Sequence, residues 1–100
     1  MALDIDRITQ VVAEVVSEYD VLEAYLFGSY ARGDQTEESD VDLRLLCGPS
    51  MTYGALYRMS ERLESLLGRD VEIVTNPPER MRPAFRERVQ GEEVLLYAAA

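Results

Sequence analysis

Two apolar runs, residues 21–27 and 41–46, are joined by a Gly-Ser pair and a polar loop, and the second run is entered through Asp40-Val41-Asp42. This arrangement restricts the fold more than any other feature of the chain. Short runs of alternating polarity make strands, and Gly28 ends the first of them. In the first run Leu22, Ala24 and Leu26 share one face, and Glu23, Tyr25 and Phe27 the other. In the second, Val41, Leu43 and Leu45 point to a core while Asp40, Asp42 and Arg44 point away. Residues 30–32 begin a short helix whose free N–H groups aim back at Gly28-Ser29, a geometry that suits an anion. Asp40 and Asp42 lie roughly 6.6 Å apart on one side of a strand, close enough to converge on divalent metal ions. Taken singly, a Gly-Ser pair is an ordinary turn and Asp-x-Asp an ordinary solvated face. Fixing all four residues in one frame has a chance rate on the order of 10⁻⁵ per start position.

The remaining elements read as scaffold. Ile5, Ile8, Val12, Val15 and Tyr19 step by three and four, which predicts an amphipathic helix over 4–19 with Asp4 as its N-cap. Gly48-Pro49-Ser50 is a turn. A second helix spans 52–67, with Leu56, Met59, Leu63 and Leu66 on its buried stripe and Gly68 as its stop. Residues 70–75 form a third strand. Val71 and Ile73 face the core, so Glu72 faces the side of the Asp pair if the sheet is continuous. Asn76-Pro77-Pro78-Glu79 starts another helix, which Pro83 restarts or bends. Met81, Phe85 and Val89 form its apolar stripe among Arg80, Arg82, Arg86 and Arg88, and Gly91 stops it. Residues 94–97 are a last edge strand. No internal repeat or linker interrupts the chain.

Composition excludes several chemistries. The chain has no His and no Lys. A P-loop needs Lys, Ser-His and Cys-His catalysis need His, and Schiff-base chemistry needs Lys. Carboxylates, hydroxyls, arginines and backbone are left, and carboxylates without His suit hard cations such as Mg²⁺ or Mn²⁺. A net charge of −9 argues against direct nucleic-acid binding. It also means that an anionic substrate is repelled unless metal ions intervene. The lone Cys47 excludes an internal disulfide and reads as a small buried residue. No apolar run approaches the ~20 residues that span a bilayer, and the first residues lack a secretory pattern, so the expectation is a cytoplasmic protein without membrane contact. One hundred residues fit one domain with a modest core.

In Gly28-Ser29, ten intervening residues and Asp40-Val41-Asp42, the chain resembles the minimal nucleotidyltransferases (MNT) of the DNA polymerase β-like superfamily. The fuller patterns Gly28-Ser29-Tyr30-Ala31-Arg32-Gly33 and Ser39-Asp40-Val41-Asp42-Leu43 match as well, and the resemblance covers nearly the whole chain. It implies an α/β (α+β) nucleotidyltransferase fold: a small mixed β-sheet with helices packed on one face, residues 1–100 forming one domain. Gly28, Ser29 and Arg32 would bind the nucleotide. Asp40, Asp42 and a third carboxylate, Glu72, would be the catalytic metal ligands, holding two Mg²⁺ ions or Mn²⁺. In the family the third position is usually Asp, so Glu72 is a departure that adds ~1.5 Å of reach.

The reaction implied is attack of an acceptor hydroxyl on the α-phosphate of ATP or another NTP. Free-standing MNT proteins resemble antitoxins paired with HEPN ribonuclease toxins, and some transfer AMP to a toxin tyrosine. The pairing leaves homo- and hetero-oligomers open. One alternative is a catalytically weak or inactive MNT module that neutralises a partner by binding alone. Another is a small-molecule nucleotidyltransferase, for which 100 residues leave little room. A Mg²⁺-dependent phosphatase of another fold is disfavoured by the missing Lys.

Overall fold

The computed structural model describes residues 3–75 and 82–99. The expected helix start at Asn76-Pro77-Pro78-Glu79, with Arg80 and Met81, lies outside the described residues, as do the side chains of Phe85, Arg86, Arg88 and Val89. The elements run α1 (Ile5–Val16), β1 (Val21–Phe27), α2 (Ser29–Arg32), β2 (Val41–Cys47), α3 (Tyr53–Leu67), β3 (Val71–Val74), α4 (Pro83–Glu92) and β4 (Val94–Ala98).

The four strands form one mixed sheet in the order β3-β2-β1-β4. The short polar connection turns β2 back antiparallel to β1, and β4 also runs antiparallel to β1. β3 is parallel to β2, which a two-residue turn cannot achieve. The intervening α3 makes the crossover that parallel pairing requires. α1 packs on α3, β1 and β4, and α3 packs on β3. Together they cover one face of the sheet, and their buried side chains join those of the strands in one cluster built on Ile8, Val12, Leu26, Leu43, Met59 and Leu63. The expected mixed sheet with a helical layer on one face is therefore the architecture found.

Local chemistry explains where the helices start and stop. The Asp4 carboxylate accepts from the Arg7 N–H at 2.9 Å, capping α1. The Thr52 hydroxyl does the same for Ala55 at 3.1 Å, capping α3, and Gly68 closes that helix in the left-handed conformation. α1 ends at Val16 rather than continuing to residue 19, because Ser17 to Asp20 form a turn that leads into β1. α2 begins at Ser29, one residue before the expected start, and β2 runs on to Cys47. Cys47 is half-buried against the core, and burial pushes its thiol pKa up.

Three apolar residues lie differently from the alternation. Leu22 is 44 % exposed, because the β1–β2 register shifts between Val21 and Glu23 and turns Val21 inward in its place. In α3 the inward position of the last turn belongs to Leu67, and Leu66 faces out. Ile5 lies at the exposed start of α1, whose buried face gains Val11 and Val16. Gly91 does not stop α4, which runs through to Glu92. Among the described residues no helix is long and apolar enough to cross a membrane.

Leu43 is fully buried at the centre of β2, in the middle of the sheet. Leu43→Ala is expected to destabilise the fold by about 3 kcal/mol, measured by urea titration. Tyr53→Ala, at a position 92 % exposed, is expected to change stability by less than about 0.5 kcal/mol.

Candidate active site

The face of the sheet turned away from α1 and α3 carries the charged residues. Register decides which of them meet. Phe27 pairs with Asp42 across β1–β2, and Asp42 pairs with Glu72 across β2–β3. Asp42 and Glu72 are thus direct neighbours on one face, on strands roughly 4.8 Å apart. Because Phe27 immediately precedes Gly28, the same register brings Asp42 under the Gly-Ser turn.

Gly28 is required there for two independent reasons. Its φ is +77°, which disfavours any residue with a side chain. A Cβ at this position would also collide with the Asp42 carboxylate. The turn itself is one helical loop: the Ala31 and Arg32 N–H groups donate to the Gly28 carbonyl, and those of Gly33 and Asp34 donate to the Ser29 carbonyl. Those of Ala31 and Arg32 are therefore not free donors aimed at an anion, as the sequence suggests. Tyr30, 5 % exposed, plugs the loop into the core and fixes its position. Ser29 is half-buried at its start.

Asp40 is placed differently. It is exposed, one residue before β2. The neighbouring Val41 N–H donates to the Asp70 carbonyl at 2.9 Å, which ties this end of β2 to β3. Asp40 lines an open, acidic cleft of about 390 Å³ with Glu37, Glu38, Ser39, Glu64 and Asp70 around Arg69. That cleft includes neither Asp42 nor Glu72. Among the described residues no three carboxylates stand close enough to hold one ion together. The structure thus brings Gly28, Asp42 and Glu72 together, with Asp40 two residues ahead of Asp42 at the entrance to β2. The donor set still fits a hard cation: the acidic side chains offer only oxygen, and Glu72 is exposed and long enough to reorient.

Arg32 ends the α2 turn with two partners. Its Nε donates to Asp34 at 3.1 Å and its Nη1 to Glu92 at 3.0 Å. These carboxylates, Asp34 foremost, hold the guanidinium pKa above its ordinary value. Glu92 also accepts from the Gly28 N–H at 3.3 Å. Its neighbour Glu93 receives a two-pronged contact from Arg44, at 2.9 and 3.0 Å. Arg44 is only 7 % exposed and stacks 4.4 Å above the Tyr25 ring. The bond to Glu93 raises its pKa against the opposing effect of burial.

The sequence assigns no role to Glu92 and Glu93, which fall between the expected helix stop at Gly91 and the last strand. The available signal was charge complementarity: two adjacent carboxylates precede an apolar strand, and Arg32 and Arg44 lie on or beside the two central strands.

The family model described as polymerase beta nucleotidyltransferase matches residues 10–100. A Methanocaldococcus jannaschii protein, MJ0435, described as a candidate protein adenylyltransferase, is 30 % identical over 92 residues, which cover 92 % of this chain and 97 % of that protein. A candidate minimal nucleotidyltransferase of known structure is 29 % identical, with a TM-score of 0.75 over 92 % of this chain and 95 % of that one. A chain from the complex of tri-AMPylated Shewanella oneidensis HEPN toxin with MNT antitoxin shares the fold. Its TM-score is 0.66 at 19 % identity, over 92 % of this chain and 71 % of that one.

Gly28 and Gly33 both have positive φ, yet a Cβ at Gly33 meets nothing within 4 Å. Gly33→Ala is expected to cost about 1–2 kcal/mol from backbone strain alone. Gly28→Ala is expected to cost at least about twice as much, and Asp42→Ala in the Gly28→Ala background to recover the excess, because the collision is gone. Equilibrium denaturation of the single and double variants checks this.

Proposed function

We propose, for a chain that belongs to the polymerase β nucleotidyltransferase family, that it transfers AMP from ATP to a protein hydroxyl. The acceptor is a tyrosine of a HEPN-type toxin, and the chain acts in the cytoplasm as that toxin's antitoxin. Residues 1–100 are read as one minimal nucleotidyltransferase unit. The observation that carries the reading is the side-by-side placement of Asp42 and Glu72 with the Gly28 backbone against Asp42. The relatives agree with it: MJ0435 is described as a candidate adenylyltransferase, and the S. oneidensis MNT antitoxin accompanies an AMPylated HEPN toxin.

In this reading Gly28 and Ser29 would present their backbone to a polyphosphate, and Arg32 would offer it a guanidinium. Asp40, Asp42 and Glu72 would hold two Mg²⁺ ions, which supply charge neutralisation for the attacking and leaving oxygens. The acceptor oxygen bonds to the α-phosphorus, the bond to the β-phosphate oxygen breaks, and pyrophosphate leaves. Glu72 is exposed beside Asp42 and is suited to accept the hydroxyl proton. Holding acceptor and nucleotide in line supplies the rest of the rate.

A second reading is favoured by Glu in place of the usual Asp at position 72: the chain neutralises its partner by binding alone. Asp40→Ala with Asp42→Ala separates the two. Under the catalytic reading the double variant loses transfer of label from [α-³²P]ATP to the toxin, and loses protection against it. Full protection without label would leave binding alone. Glu72→Asp is expected to keep or raise transfer, since it restores the usual ligand type.

Mg·ATP at a hundredfold excess over Kd is expected to stabilise the fold by about 2.7 kcal/mol. Thermal melts would read this as a Tm rise of roughly 10 °C or more. Omission of Mg²⁺ is expected to remove most of that rise, because the site is acidic.

A further inference from the structure

Glu92 touches two of the three residues assigned to the nucleotide. One carboxylate oxygen accepts from the Gly28 N–H at 3.3 Å, and the other accepts from the Arg32 guanidinium at 3.0 Å. The side chain is only 17 % exposed, and it reaches these donors from 60 and 64 residues away along the chain. A carboxylate whose two oxygens span an amide and a guanidinium makes the contacts that two oxygens of a phosphate would make. A second anion cannot take the same donors while Glu92 remains, since like charges at contact distance repel strongly outside bulk water.

We propose that Glu92 is an intramolecular competitor for the phosphate cradle. Its carboxylate and a polyphosphate take the Gly28 N–H and the Arg32 guanidinium in alternation. The proposal rests on the nucleotide reading above and adds a regulatory element to it. Glu92 is the last residue of α4, so nucleotide binding releases the end of that helix.

The neighbouring residue makes such a movement local. Glu93 is held by both prongs of the buried Arg44, and β4 stays paired with β1. The strand is therefore anchored immediately beyond Glu92, and displacement is confined to the Glu92 side chain and the final turn of α4. The C-terminal helix would then report occupancy of the cradle to whatever partner contacts it.

The opposite role, a strut that holds Arg32 ready for nucleotide, predicts an effect of opposite sign. Glu92→Gln keeps the shape and one acceptor oxygen but removes the charge. Calorimetric titration of the full chain with inorganic tripolyphosphate and with ATP, each in saturating Mg²⁺, is expected to give about tenfold lower Kd for the variant in both cases. An unchanged or higher Kd overturns the competition, as does a failure of either form to bind tripolyphosphate.

A measurement on the unaltered chain guards against a variant that folds poorly. With ¹³C-labelled glutamate and ¹⁵N-labelled glycine, saturating tripolyphosphate in Mg²⁺ is expected to move the Glu92 carboxylate and Gly28 amide resonances together. A Gly28 shift with Glu92 unmoved overturns the proposal. The two readings also fail separately. Tighter tripolyphosphate binding by Glu92→Gln with no AMP transfer by either form keeps the competition and removes the transferase. AMP transfer with no gain in affinity does the reverse.

Discussion

Strand β2 carries both the core and the chemistry on one backbone. Val41, Leu43 and Leu45 are buried beneath the helices, and the residues between them, Asp42 and Arg44, stand on the opposite face. The two-residue period of a strand ties these sets together: a slip of one residue would turn Asp42 and Arg44 toward the apolar core and move three aliphatic side chains off it. Burying Val41, Leu43 and Leu45 therefore fixes Asp42 opposite Phe27 and Glu72. The hydrophobic energy that folds the protein is also what aligns the carboxylates, and no separate device is needed to place them.

On the charged face, position matters more than net stabilisation. The Arg44–Glu93 pair is nearly removed from water, and such pairs seldom outweigh an apolar replacement in stability. What the pair supplies is a fixed point. It binds the start of β4 to the middle of the sheet, with Tyr25 beneath the guanidinium and the Tyr25 hydroxyl donating to Glu23 at 2.9 Å. Removing one partner would strand the other charge in a site built to exclude water. A sequence that keeps both keeps the C-terminal strand in register beside β1.

How much of this could be read from residues alone depended on how local the cause was. Asp4, Thr52 and Gly68 cap their helices through neighbours three or four residues away, and the limits of β1 and the end of α3 at Leu67 were legible for that reason. The neighbourhood of Asp42 and Glu72 was legible too, because parallel pairing after a crossover helix follows from the order of elements. Leu22 and Leu66 were misread because their orientation depends on a register shift and on the exact angle of a helix end, neither of which is written in periodicity. The contacts of Glu92 with Gly28 and Arg32 were not legible, because they depend on tertiary packing between segments far apart in sequence.

The electrostatics of the site follow from the same layout. Arg32 and Arg44 already face carboxylates, one pair near the surface and one buried. Asp34, Asp42, Glu72 and Glu92 lie on or beside the same surface, in a chain of net charge −9 without a single lysine. A polyphosphate approaching this surface meets more negative charge than positive, and Arg32 alone cannot reverse that balance. Attraction must arrive with the ligand, as cations carried on its phosphates. If the proposed function holds, an acidic site of this kind would discriminate by charge state, repelling bare nucleotides and admitting those whose charge metal ions have neutralised. On that proposal, the carboxylates that look unsuited to holding an anion would be what makes its binding conditional on metal.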